Sequence, residues 1–233
     1  MSNLLSDLRF ALRSFRRSPL HALATVLILG VGIGAVTLMF SVVNASVLRP
    51  LPFPEPDRLV WLWKASDEVQ QNSVSYDDFR DYRGTLEAME DLAAYQLIYP
   101  RPLLSGADAG MRVQGNQVTP NLFSVLGVSP ALGRAFRWDE AVDGGPAVTI
   151  LSHAFWQGQF GGAPDMVGRV ISLDGLPTEV VGVMPEGFAF PSANVQLWLP
   201  TREGEGATLG RGNNNFFVVG RLKNGVSLDV AQA

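Results

Sequence analysis

Hydrophobic and polar positions divide the chain into three unlike stretches. In the first, Leu4, Leu5, Leu8, Ala11, Leu12 and Phe15 recur at helical spacing, and Arg9, Arg13, Arg16 and Arg17 fall largely between them. That pattern predicts an amphipathic helix over residues 1–18, lying at a membrane surface with its basic side toward anionic headgroups. In the second, Ser18 to Leu48, no Asp, Glu, Lys or Arg occurs. A bilayer needs about 20 mostly apolar residues, so residues 19–48 are predicted to form a transmembrane helix that Pro19 is placed to open. The third stretch, from residue 58 onward, mixes short alternating runs with short helical ones.

Within that third stretch, "RLVWLW" (58–63) alternates and is rich in β-formers, which predicts a strand. "SVSYDDFRDYRGTLEAMEDLAAY" (73–95) predicts a helix capped by Ser75 with Asp77 and Asp78 in its first turn. Gly84 is expected to divide it from a second helix at 85–92. "MRVQGNQVT" (111–119) predicts a strand, and "PNLFSVLG" a short helix opened by Pro120 and closed by Gly127. "AVTILS" (147–152) predicts a buried strand, followed by a short helix in "HAFWQGQFGG". Residues 167–185 predict a hairpin about Asp174-Gly175, a pair that tolerates positive φ. Two further strands are predicted at 195–199 and 216–222, with a polar, glycine-rich mobile loop at 202–215 between them. Strands and helices without strict alternation predict an α+β fold for 58–233.

Between the apolar run and this domain, residues 49–57 place proline at every second position: Pro50, Pro52, Pro54 and Pro56. The first ends the helix; the alternation predicts an extended, stiff spacer, a candidate mechanical junction. Spacing of two gives no P-x-x-P, which argues against a proline-rich ligand.

Charge sharpens the picture. Residues 1–48 carry four arginines against Asp7 alone, and the remaining 185 residues carry 14 Lys+Arg against 21 Asp+Glu. The arginines predict a cytoplasmic N-terminus and an extracytoplasmic main domain. A mildly acidic domain carries no footprint for nucleic acid. The apolar run is about twice the length of a signal-peptide core, so a retained anchor is expected. Gly30 and Gly34 form a G-x-x-x-G, a candidate helix-packing face.

Candidate chemistry is sparse. With no cysteine and only His21 and His153, neither thiolate catalysis nor a His cluster for a metal is expected. Ser152-His153 lacks the opposed geometry and third group of a triad, so Ser152 reads as a helix cap. Asp77, Asp78 and Asp81 lack a calcium-loop pattern and read as a solvated helix start. "GEGATLGRG" has no G-K-[ST]. Core packing is expected for most of the five tryptophans. No catalytic, metal or cofactor site is expected.

The order of these segments carries a resemblance. The basic helix, "RSPLHALATVLILGVGIGAVTLMFSVVNASVLRPLPFPEPDRLVWL", "SYDDFRDYRGTLEAMEDLAAY", "VTPNLFSVLGVSPALGRAF", "VTILSHAFWQGQFGG", "VGRVISLDGLPTEVVGVMPEGFAFP" and "LWLP" together resemble the N-terminal unit of a MacB/FtsX-type ABC transporter permease of the long acidobacterial type, from about residue 4 to the end. The resemblance implies a first membrane helix followed by a MacB-like periplasmic core domain in the inner membrane. It also implies an ABC ATP-binding subunit as partner, a permease dimer, and a periplasmic adaptor or cargo such as peptides, lipoproteins or antibiotics. ATP hydrolysis is then expected in the partner and none in this chain. The close at "LKNGVSLDVAQA" resembles a helix start inside that domain, so a fragment with an incomplete C-terminus is expected. A single-span periplasmic sensor or adaptor without an ATPase is the alternative; a membrane-anchored hydrolase is opposed by the missing catalytic residues.

Overall fold

The computed structural model describes residues 19–43, 53–64, 72–98, 101–105, 110–204 and 210–231. The chain falls into two compact units, Met1–Leu51 and Pro52–Ala233. The predicted amphipathic helix (1–18), the proline positions 50 and 52, and part of the predicted polar loop (205–209) lie outside the described residues.

In the first unit a single helix, α1 (Pro19–Val43), runs for 25 residues without a charged side chain, a length of about 37 Å at 1.5 Å per residue. Leu27, Ile28, Leu29 and Val31, which point in different directions around it, are all well exposed. Among the described residues no helix is long and apolar enough to cross a membrane.

The second unit is an α+β domain. Its strands are β1 (Leu59–Leu62), β2 (Met89–Leu97), β3 (Leu103–Ser105), β4 (Met111–Arg112), β5 (Gly115–Val118), β6 (Leu132–Gly133), β7 (Val148–Leu151), β8 (Val170–Leu173), β9 (Leu176–Val183), β10 (Leu197–Pro200) and β11 (Phe217–Leu222). Its helices are α2 (Tyr76–Thr85), α3 (Leu122–Leu126), α4 (His153–Phe160) and α5 (Leu228–Ala231). Among the described residues these strands form one mixed sheet in the order β1-β11-β2-β5-β10-β7-β9-β8-β3-β4, with β6 on β9. Among the described residues only β5–β10 and β7–β9 pair in parallel.

Most predicted elements form for the reasons read from the sequence. Ser75 caps α2 by accepting the Asp78 N–H at 3.0 Å, and Ser152 caps α4 by accepting the Phe155 N–H; such caps contribute about 1 kcal/mol each. Gly127 ends α3 in the left-handed region at φ 73°. The β8–β9 hairpin turns through Asp174 (φ 51°) and Gly175 (φ 82°), the positive-φ pair its two-residue loop requires.

Three expectations are corrected. The second helix expected at 85–92 is absent: α2 continues through Gly84 to Thr85, and residues 89–97 are the central strand β2. Glu, Ala, Met and Leu favour helix locally, but Leu92, Ala93, Ala94 and Tyr95 are all buried. Leu92 and Ala94 enter a core beneath α2 with Tyr76 and Phe79, while Ala93 and Tyr95 enter another with Phe123 and Trp198. Only an extended strand can fill both. The strand expected over 111–119 is broken at Val113–Gln114, because β4 pairs with β3 whereas β5 is clasped between β2 and β10. The described half of the proline stretch is not extended: Glu55 is left-handed at φ 49°, and Pro56–Arg58 form a 3-10 turn.

Candidate functional site

The turn at 53–58 is where the sheet domain begins, and it is held at several points. The Phe53 ring is buried edge-on against Phe188 and Phe190, at 6.0 and 6.2 Å between centroids. Pro56 opens the 3-10 turn with its φ already set. The Arg58 N–H closes the turn on the Glu55 carbonyl at 3.1 Å.

Two arginines then bind this turn to the far end of the sequence. β1 and β11 are antiparallel with Leu59 opposite Arg221, so the start of the first strand lies beside the end of the last. Arg58 donates from Nε and Nη2 to the Leu222 carbonyl at 2.9 and 2.7 Å. Its guanidinium also pairs with Glu55 at 2.7 Å and with Glu90. Arg221, with its side chain 7% exposed, donates from Nε to the Val125 carbonyl at 2.7 Å and from Nη2 to the Pro54 carbonyl at 3.3 Å. The Val125 oxygen is one of the carbonyls the last turn of α3 leaves without a helical partner. Glu55 Oε2 lies 3.7 Å from Arg221. A buried guanidinium is tolerated because its fork is satisfied by fixed oxygens. The junction, the end of β11 and the end of α3 are therefore one hydrogen-bonded unit.

Of the residues singled out by sequence, Pro54 and Pro56 belong to this unit, Pro54 through its carbonyl. Gly30 and Gly34 lie in α1, where a methyl group added at either position would meet nothing within 4 Å among the described residues. The arginines were missed in the sequence. The one legible signal is for Arg221, a cation inside the apolar run "FFVVGRL".

The acidic start of α2 is less solvated than expected. Asp78 pairs with Lys64 at 2.8 Å and Arg211 at 3.3 Å, and Asp81 with Arg211 at 2.7 Å. Hydrogen bonds from Lys64 and Ser75 hold the Asp78 carboxyl below the usual range, and the same pair raises Lys64. Beside the other end of α2 a groove of about 790 Å³ contains Arg83, whose guanidinium sits 4.7 Å over the Trp138 ring and 2.9 Å from Asp91. Burial raises the Asp91 carboxyl, but hydrogen bonds from Arg83, Asn121 and the Leu92 N–H outweigh it and leave it low. No group of His, Asp and Glu able to hold a metal occurs among the described residues. Trp198 is fully buried, but Trp61, Trp63 and Trp138 are exposed, against the expectation of core packing for most tryptophans.

Comparison with known proteins places this geometry. The MacB-like periplasmic core domain family matches residues 22–233. Among solved structures, the fold is similar to the extracellular domain of the noncanonic ABC-type transporter YknZ from Gram-positive bacteria (18% identity, 72% of this chain and 83% of that one, TM-score 0.50). It is similar to the periplasmic region of MacB from Actinobacillus actinomycetemcomitans (13%, 75% and 77%, 0.53). A domain from Porphyromonas gingivalis, named as part of a permease protein, is similar as well (19%, 76% and 80%, 0.58). None of the curated proteins matches the chain.

Proposed function

The chain belongs to the MacB-like periplasmic core domain family, and on that premise we propose that it is the N-terminal part of an ABC-type permease whose sheet domain relays motion rather than performing chemistry. In this reading α1 crosses the inner membrane, residues 1–18 face the cytoplasm, and 58–233 lie in the periplasm. A partner ATP-binding subunit hydrolyses ATP, a second permease copy packs through the face of Gly30 and Gly34, and cargo such as peptides, lipoproteins or antibiotics is moved on the periplasmic side.

One observation carries the reading. The turn that leads out of the apolar helix region is tied by Arg58 and Arg221 to the last strand, so both ends of the sheet domain sit on the same pair of guanidinium groups. A displacement of residues 53–58 must move β11 and α3 with it, because breaking the link leaves buried carbonyls and a buried charge unpaired.

The test uses the complete permease with its ATP-binding subunit in liposomes. Arg58→Ala, and separately Gly/Ser at all four proline positions, are expected to leave ATP hydrolysis within about twofold and to reduce cargo movement at least tenfold. Parallel loss of both, or of neither, overturns the mechanical reading.

A further inference from the structure

At the opposite end of β11 from Arg221, the sheet carries a recess of about 520 Å³, within the ~300–1,000 Å³ of small-molecule pockets. No residue lining it is ionisable. Its polar groups are the amides of Gln96, Gln117, Asn214 and Asn215 and the Ser73 hydroxyl; Leu97, Ile98 and Phe217 complete it. The two cations on the adjoining loops, Lys64 and Arg211, are held by Asp78 and Asp81.

The amides are only half used. Gln96 and Gln117 stand on neighbouring strands, directly opposite in register, and donate one N–H to one carbonyl between them. Whichever way the amides are turned, one carbonyl and one whole NH2 group of the pair remain without a partner among the described residues. Ser73 Oγ fixes the loop by donating to the Asn214 carbonyl at 2.6 Å, while the buried Asn214 Oδ1 has no partner. Buried polar atoms are almost always satisfied, so the wall of the recess is incompletely paired among the described residues.

We propose that this recess binds a neutral, polyhydroxylated ligand, a sugar unit of an oligosaccharide. Adjacent hydroxyls of a sugar ring can donate to the amide oxygen and accept from the amide N–H groups that the Gln96–Gln117 pair leaves over, and the Asn215 amide lines the same recess. A charged ligand finds no counter-ion among the described residues that line the recess. An extended peptide finds no free backbone, since β2 and β5 are paired on both sides and strand addition needs an open edge. The site stands whether or not the domain transmits motion.

The experiment is calorimetric titration of the full chain, in a detergent without a sugar headgroup, with cellotriose, with triacetylchitotriose and with N-acetyl-trialanine amide. Saturable binding of at least one trisaccharide and none of the peptide is expected. Gln96→Met combined with Gln117→Met, which removes both partners of the pair together, is expected to weaken that binding at least tenfold. Asn215→Ala, at an exposed position that does not support the sheet, is expected to weaken it several-fold even where the double variant misfolds. Binding of the peptide instead, binding of neither trisaccharide, or trisaccharide binding unchanged in Asn215→Ala and in a folded double variant overturns the proposal.

Discussion

Arg221 is the residue on which most of the junction depends. Its side chain is buried, yet it is placed in the last strand among Val218, Val219 and Leu222. It holds two carbonyls from segments about 100 and about 170 positions away in sequence. Arg221→Ala is therefore expected to destabilise the domain by about 2–4 kcal/mol, because the buried Val125 oxygen is left without a donor and the Pro54 oxygen loses a charged one. Arg221→Lys is expected to recover only part, since an ammonium cannot span both oxygens as the fork does. Urea denaturation checks both; a loss below about 1 kcal/mol in the alanine variant would show that the guanidinium is not what holds the turn. At this scale the sequence displayed a charge in an apolar run and nothing about its partners, which come from loops and helices that only folding brings near.

Among the elements, α2 shows how local and distant forces divide the work. Its first turn was legible: Ser75 and the acids after it form a helix start on local grounds. Its surroundings were not. Asp78 ties it to Lys64 and Arg211, and Asp91, on β2, ties Arg83 at its end to the sheet. Both carboxyls sit below their ordinary values. A group with a depressed folded pKa contributes stability that is complete above its unfolded value, about 3.9, and is lost as pH falls through the folded one. The domain is expected to hold its stability down to about pH 5 and to weaken steadily below about pH 4. Asp78→Asn combined with Asp91→Asn is expected to lower stability at pH 7 and to flatten the acid side of the profile; an unchanged slope between pH 5 and 3 would count against these two groups. The strand β2 is the element the sequence misrepresents. Its residues favour helix one at a time, and its burial between β11 and β5 overrides that preference.

At the scale of the whole molecule, an uncharged helix and a mixed sheet domain are joined in one chain, and the sheet domain's first and last strands are neighbours. The chain has no cysteine, so a single introduced thiol reports one position without background. With Leu176→Cys, on the exposed β8–β9 hairpin, a membrane-impermeant maleimide is expected to label intact cells. With Ser2→Cys, labelling is expected only after lysis. The reverse pattern would overturn the proposed orientation, and labelling of both before lysis would remove the membrane barrier from the reading.

By itself the sequence determined what depends on neighbours in the chain: the uncharged helix from Pro19, the serine caps, the Asp174-Gly175 hairpin and the α+β character. Each is set by hydrogen bonds, backbone torsions or periodicity within about a dozen residues. The order of its segments was enough to point to the MacB-like family. Tertiary structure alone decided that 89–97 is a strand, that three tryptophans stay exposed, that Glu55 turns left-handed within the proline stretch, and that Arg58 and Arg221 close the domain on itself. The strand and the arginine closure rest on burial and pairing with distant segments, up to about 170 positions away for Arg221 and Pro54, where the cost of an unpaired carbonyl or an unfilled core outweighs what any residue prefers locally.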